Sequence, residues 1–336
     1  MFFGNQRLGR VVLAASAVLV LVATTGPADA RTIRGNSKAN TLVGTTRADT
    51  IHGLGGNDRI KGRGGPDKAV GGGGNDRVDG GAGDDTLLLN AGNDTGIGGP
   101  GVDAISGGSG NDTINGGAGN DGMLSGAAGK DRITGGDGND RVSGGAGDDR
   151  VDGGPGNDHL NLGTENDLGL GGDGDDVIHG IFGDDVVHGG NGDDHVQGGG
   201  GTDRVFGEGG DDELDGDDGD DVLDGGPGNE SCPGFGPGVH CTGTRNITGD
   251  AGDDVIYPGT GVDVVFGEEG RDIIRLTDDG VYDRIFCGDS SDDPVSEGVV
   301  QYDGDRDPED DIRGCRVEVG TQWTQAHPRH AAGSLP

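Results

Sequence analysis

From Gly35 onward an aliphatic residue recurs every nine positions, flanked by polar residues and separated from the next by a glycine-rich, acidic stretch. Two clear copies are Gly144-Gly-Ala-Gly147-Asp-Asp149-Arg-Val151-Asp and Gly107-Gly-Ser-Gly110-Asn-Asp112-Thr-Ile114-Asn. The unit is G-G-x-G-x-D-x-U-x, with U aliphatic, and a fixed period of this length marks a solenoid. The x-U-x segment, such as Arg150-Val151-Asp152, predicts a three-residue strand with its middle side chain turned inward. The G-G-x-G-x-D segment predicts a turn, with glycines where φ must be positive or the backbone crowds.

The register runs as ten units from Gly35 to Leu124, one extra residue at Ser125, eleven units from Gly126 to Asp224 and three from Gly249 to Arg275. Position eight holds Ile51, Ile60, Val78, Leu87, Ile105, Ile114, Met123, Ile133, Val142, Val151, Leu160, Ile178, Val187, Val196, Val205, Leu214, Leu223, Ile256, Val265 and Ile274. Ala69, Gly96 and Gly169 are the exceptions. Two units make one coil, so units of equal parity stack on one edge. About twelve coils at a strand spacing of ~4.8 Å give a rod of roughly 55–60 Å. The fold class expected is all-β: a parallel β-roll, a β-helix-type solenoid with two repeats per coil.

Composition changes the picture only if the period is ignored. Glycine (80) and proline (12) make up about 27% of the 336 residues, the net charge is -37 and aromatics are 3%. Shuffled, those residues would stay disordered, because little apolar surface offsets the ordering entropy. Collagen is excluded, since the glycines fall at positions one, two and four of nine rather than every third residue.

Position six is acidic almost throughout. The first block supplies Asp49, Asp58, Asp67, Asp76, Asp85, Asp94, Asp103, Asp112 and Asp121. The second supplies Asp131, Asp140, Asp149, Asp158, Asp167, Asp176, Asp185, Asp194, Asp203, Asp212 and Asp221, and the third Asp254, Asp263 and Asp272. Only the first unit differs, with Asn40, which suggests a capping turn. Stacking brings equal-parity carboxylates together, Asp131 beside Asp149 and Asp140 beside Asp158. Such rows repel at neutral pH unless a hard dication lies between them. Ca²⁺ takes six to eight oxygens at ~2.3–2.6 Å from carboxylates and backbone carbonyls, whereas Mg²⁺ dehydrates reluctantly and demands a tighter octahedron. Zinc or iron would want His or Cys at fixed spacing, which the repeats do not offer.

Over roughly residues 35–275 the chain resembles the RTX, or hemolysin-type, calcium-binding repeat proteins, whose nonapeptide is a known Ca²⁺-binding β-helix repeat. The resemblance implies multiple Ca²⁺ ions held between turns of equal parity by the position-six aspartates and by carbonyls at the glycine positions. A single GGxGxD would read as a solvated turn; it is the repetition that carries the implication. Leu89-Asn-Ala-Gly92-Asn-Asp94-Thr-Gly96 and Leu162-Gly-Thr-Glu165-Asn-Asp167-Leu-Gly169 lose both the first glycine and the inward aliphatic. With Pro66 and Lys68 beside Asp67, the sites at Asp67, Asp94 and Asp167 are expected to be the weakest.

The remaining segments read as follows. Residues 1–30 resemble a secretory leader: Arg7 and Arg10, an apolar stretch from Val11 to Ala23, and Ala28-Asp29-Ala30 as the cleavage site, giving a mature start at Arg31. Thirteen apolar residues are few for a membrane span, so the expectation is an exported, extracellular protein. A cleaved leader also departs from RTX proteins that leave by a C-terminal signal. The roll is expected over 31–230, an excursion bounded by a disulfide over 231–248, repeats again over 249–275, a C-terminal cap over 276–320 and a flexible tail over 321–336.

Four cysteines in an exported chain favour disulfides. Three pairings are open, and equivalent places in the period favour Cys232–Cys241 and Cys287–Cys315, the latter tying down the cap an open solenoid needs. Asp303-Gly-Asp305-Arg-Asp307 begins like an EF-hand loop but has Pro308 where that loop needs glycine and Gly314 where it needs glutamate.

No H-E-x-x-H, G-x-S-x-G or P-loop is present. The eight histidines look scattered, with His179 and His188 at position nine of consecutive units and so on opposite edges. An acidic rod argues against nucleic acid, which needs cationic surface. The sequence therefore predicts no enzyme but a calcium-binding roll whose folding is coupled to the ion. An adhesin or matrix role, with an extracellular polysaccharide or cell-surface partner, stays open, as does the repeat module of a polysaccharide-acting enzyme.

Overall fold

Alternation along the chain builds the architecture. In a strand such as β14 (Arg150–Pro155), Val151 and Gly153 are buried while Arg150, Asp152 and Gly154 face outward. The computed structural model describes residues 30–227, 247–260, 263–268, 270–277, 283–287, 299–303, 311–313 and 315–320. The leader before Ala30, the Cys232–Cys241 bridge, the acidic run beyond Asp303 and the tail over 321–336 lie outside them.

The described residues form thirty strands, from β1 (Thr32–Arg34) to β30 (Arg316–Gly320), arranged in two parallel sheets of fifteen. Odd-numbered strands make one sheet and even-numbered strands the other. The pairing is one coil per eighteen residues: in β13 (Arg141–Ala146) and β15 (His159–Thr164), Arg141 faces His159 and Val142 faces Leu160. The fold is thus the all-β parallel β-roll read from the period. It exceeds twelve coils because β1, β23 (Ile247–Thr248), β27 (Arg284–Phe286), β28 (Val299–Asp303), β29 (Asp311–Arg313) and β30 add strands that the repeat pattern does not mark. At a spacing of ~4.8 Å, fifteen stacked strands span roughly 65–70 Å.

Three expectations need correction. From β3 (Thr50–Gly55) to β21 (Glu213–Asp218) the strands are six residues long, not three, because pairing continues through the first three positions of the next unit. The turn proper is therefore only G-x-D. Secondly, position one does not use a positive φ; positions two and four do, as at Gly145 (φ 117°) and Gly147 (φ 116°). The left-handed backbone at position two persists even without glycine, at Leu54, Arg63 and Ile181, where φ is 84°, 91° and 92°. For β-branched Ile181 this is a strained conformation that only the surrounding coils hold in place.

Thirdly, the inserted residue is Gly122, not Ser125. Met123 pairs with Ala104 and Leu124 with Ile105, which puts Leu124 at position eight. Leu124 is 1% exposed and Met123 63%, so Met123 is a surface residue. Gly122 slips into the turn and donates to the Asp103 carbonyl at 3.1 Å. The sheets run across the insertion unbroken.

The core is one file of aliphatic side chains between the sheets, including Ile51, Ile60, Val151 and Leu223, each fully buried. The two units lacking an inward aliphatic are compensated rather than defective. Position one also points inward, and Leu89 and Leu162, which replace its glycine, are fully buried. A methyl group on Gly96 would lie 3.1 Å from Leu89 Cδ1, and one on Gly169 would lie 2.8 Å from Leu162 Cδ1. Each leucine fills the space its own unit's position eight gives up.

At the C-terminal end β27 (Arg284–Phe286) and β29 (Asp311–Arg313) pair in the odd sheet. Cys287 follows β27 directly, Cys315 lies two residues beyond Arg313, one place past the equivalent position, and the two are disulfide bonded with Cα atoms 5.1 Å apart. The bridge therefore staples neighbouring coils of the same roll.

Candidate metal centre

In the regular G-x-D turns the backbone donors are taken up by neighbouring coils. The position-four N–H of Gly74 donates to the Ala91 carbonyl of the next coil at 2.9 Å. The position-seven N–H of Lys68 donates to the Asp49 carbonyl of the coil before at 2.9 Å. At position five the N–H of Asn75, Asn93 and Asn111 donates to the side-chain oxygen of Asn57, Asn75 and Asn93 respectively, at 3.0–3.1 Å. The sequence shows that asparagine run, but its role appears only once units of equal parity are stacked.

Position six forms two further ladders. The N–H of Asp131 donates to Oδ1 of Asp149, Asp149 to Asp167, Asp167 to Asp185 and Asp185 to Asp203, at 2.7–2.8 Å. On the other edge Asp121 donates to Asp140, Asp140 to Asp158 and Asp158 to Asp176, again at 2.7–2.8 Å. At the N-terminal end Asn40 donates to Asp58 and Arg31 to Asp49, both at 2.7 Å. The predicted aspartates are all placed on these two edges and all are buried, 0–4% exposed. They are not solvated turn residues. Asp67, Asp94 and Asp167 sit in the ladders as their neighbours do, accepting at 2.6–2.7 Å. Asp283, which the period does not mark, is also buried and accepts from Asp263 at 3.0 Å. Its Asp-x-Ile triplet was a readable signal, displaced by two residues from the strict spacing.

The second carboxylate oxygen is the chemically informative one. Oδ2 of every position-six aspartate from Asp58 to Asp203, and of Asp221, Asp254 and Asp272, is buried with no hydrogen-bond partner among the described residues. Asp49 differs, its Oδ2 accepting the Thr45 N–H at 2.5 Å. A buried carboxylate oxygen without a donor costs several kcal/mol unless it is protonated or meets a cation. Burial first, and then like charges in the ladder, push Asp103, Asp112, Asp158 and Asp254 up to about 7 and Asp167, Asp194 and Asp221 up to about 8. The N–H donated from the coil before pulls each partly back. Asp67, Asp76, Asp140 and Asp149 are raised to about 6 for the same reasons.

Position-one glycine opens the space in front of Oδ2. A methyl group on Gly198 would lie 2.7 Å from Oδ2 of Asp203 and 2.9 Å from the carbonyl oxygen of Gly216 one coil on. A carboxylate and a carbonyl oxygen thus converge on one small cradle, with only oxygen as donor atom. That set suits a hard, flexible-coordination cation and fits calcium. The profile of the RTX calcium-binding nonapeptide repeat (four copies) matches residues 34–69, 61–96, 97–127, 125–160, 162–196, 197–229 and 246–274. The chain belongs to that RTX repeat family. No curated protein matches the chain.

As an RTX repeat protein, the chain carries calcium-binding repeats within a β-solenoid. Among the described residues no helix is long and apolar enough to cross a membrane. The position-one cradle sets a substitution test specific to this geometry. Gly198→Ala is expected to cost about 1–3 kcal/mol by overpacking and to lower the calcium stoichiometry. Gly73→Ala, where nothing lies within 4 Å and φ is not left-handed, should be neutral or stabilising by up to about 1 kcal/mol. Equal effects in chemical denaturation would remove the cradle from the account.

Outside the turns, Asp215, Asp217 and Asp250 bring carboxylate oxygens within 4.8 Å of one another. Their side chains belong to the outer face of the odd sheet, not to the ladders. The nine-residue period does not reveal them, because Asp250 joins the other two only through the pairing of β23 with β21.

Proposed function

We propose that this is an exported, non-enzymatic RTX protein whose β-roll assembles on Ca²⁺, each ion lying between successive turns of one edge. The observation that carries the reading is the row of buried Oδ2 atoms with no donor among the described residues, at the position-six aspartates from Asp58 to Asp203 and at Asp221, Asp254 and Asp272. The ligands are the position-six aspartates of adjacent coils, such as Asp131 with Asp149 and Asp140 with Asp158, together with carbonyl oxygens of the glycine positions. Calcium supplies positive charge there and nothing more; the chain supplies the spacing, the exclusion of water and the order of filling.

Several features support export. The segment over 1–30 reads as a leader, cysteines are used for a disulfide at Cys287–Cys315, and millimolar extracellular Ca²⁺ suits weak, repeated sites. A non-catalytic role is supported by what the coils themselves are made of, short strands and G-x-D turns whose acidic side chains are taken up by the ladders. Limited proteolysis tests the reading. In millimolar CaCl₂ a fragment spanning the roll should persist, and in excess chelator it should disappear at the same protease dose. Equal resistance in both would defeat calcium-coupled assembly.

A further inference from the structure

Charge is spread unevenly along the roll. Residues 31–100 carry nine Lys and Arg. Six of their eight acidic residues are the buried ladder aspartates from Asp49 to Asp94, and only Asp79 and Asp84 stand outside the ladders. Residues 170–227 carry one cation, Arg204, and twelve Asp and Glu outside the ladders. With the ladder carboxylates set aside, nine cations against two acids give the first stretch a charge of +7, and one against twelve gives the second −11.

The coil displays these charges outward. In β4 (Arg59–Gly64) and β6 (Arg77–Ala82), Arg59 lies directly opposite Arg77, and Lys61 reaches Asp79 at 3.2 Å. Arg59, Arg63 and Arg77 are exposed and make no ion pair among the described residues. On the acidic stretch Asp175, Asp184, Asp193 and Asp220 are exposed at position five of the turns. The Asp193 N–H donates to Asp175 Oδ1 at 3.1 Å, which sets carboxylates of neighbouring coils in a row.

Neither pole can relieve the other within one rod. β4 and β20 (Arg204–Gly209) are eight strands apart in the same unbroken sheet, roughly 38 Å at ~4.8 Å per strand. The Debye length at physiological ionic strength is about 8 Å. A second rod laid alongside in the opposite direction places each basic stretch on its partner's acidic one. That contact is made twice about a two-fold axis and closes on itself. A foreign polyanion would satisfy the basic stretch alone and meet repulsion from the acidic one.

We propose that the calcium-loaded roll pairs with a second copy of itself, antiparallel and side by side, the basic stretch over residues 31–100 docking on the acidic stretch over 170–227. The inference rests on calcium filling the ladders, since a chain of net charge −37 otherwise repels its own copy. The paired strips set direction and register, because any parallel overlay juxtaposes like charges.

Sedimentation equilibrium of the full chain in millimolar CaCl₂ tests this. A dimer is expected at low salt, dissociating in about 1 M NaCl, where the Debye length is about 3 Å. Arg59→Glu with Arg77→Glu, and separately Asp175→Lys with Asp193→Lys, should each weaken pairing by more than about tenfold. An equimolar mixture of the two double variants should pair again, since each now supplies the charge the other lacks. Lys130 already occupies position five of a turn, so lysine is compatible there, and far-UV circular dichroism in calcium checks that both variants keep the roll. A calcium-folded chain that stays monomeric at low salt, or variants that do not pair when mixed, would overturn the proposal. So would a monomer whose Arg59 and Arg77 instead retain dextran sulfate, which would make a foreign polyanion the occupant. Failure of the calcium reading is distinct: the circular dichroism would then be the same with and without the ion.

Discussion

Removing divalent cations at neutral pH is expected to reduce the protein's far-UV circular-dichroism spectrum from β-rich to coil-like, and millimolar CaCl₂ to restore it. The expectation follows from the ladders. Adjacent position-six carboxylates are one strand spacing apart, ~4.8 Å, and at an effective dielectric of about 20 two unit charges at that distance repel by about 3 kcal/mol. A handful of such neighbours equals the whole ~5–15 kcal/mol that stabilises an ordinary domain. Against this, each nine-residue unit buries a single aliphatic side chain, Val151 or Leu160 for example. The core alone does not hold the turns closed. On the proposed function the ion binds only the assembled turns, so that its binding free energy becomes folding free energy. A metal-stripped chain with an unchanged β spectrum would contradict this.

Acidification in chelator should have the opposite effect to calcium removal and partly rebuild the sheet. The ladder aspartates have folded-state values raised from the ordinary 3.8 to about 6 at Asp140 and Asp149, about 7 at Asp103 and Asp112, and about 8 at Asp167, Asp194 and Asp221. A group raised on folding contributes stability that is complete below its unfolded value and is lost as pH rises through the folded one. The ion-free roll is therefore least stable above about pH 8 and gains stability as pH falls toward about 4. Protons neutralise the same oxygens that calcium does. With calcium present the sign reverses for the ion: the ion-free coil already carries ionised carboxylates at neutral pH, so uptake there releases few protons, and affinity falls as pH approaches the ordinary carboxylate range near about 4. Circular dichroism against pH in chelator, with calcium affinity followed over the same range, checks both halves. A coil spectrum at every pH, or calcium affinity unchanged down to about pH 4, would remove charge as the controlling term.

Much of the architecture was legible because one period writes it. The aspartate at position six and the aliphatic at position eight are imposed by stacking, so they repeat wherever the coil does. What the period could not show was anything set by a neighbouring coil. The Leu89 and Leu162 units read as defects because position one was taken as a turn residue, whereas strand pairing carries it into the core. Gly122 and Ser125 were indistinguishable as the insertion, since either restores the spacing; burial of Leu124 decides it. Asp283 was missed because it falls two residues late. The ring contacts of His179 with His159 and with His195 are hidden for a related reason: His159 and His195 occupy position seven and His179 position nine, so a reading by position separates residues that the diagonal across neighbouring strands joins.

Calorimetric titration of Ca²⁺ into the metal-stripped full chain, with its hydrodynamic radius followed in parallel, bears most directly on the role of the ladders. Cations wedged between stacked acidic rungs predict uptake on the order of one ion per rung, with contraction of the chain over the same concentration range. A chain already compact before the first addition, or one that saturates with a few ions and no contraction, would contradict it.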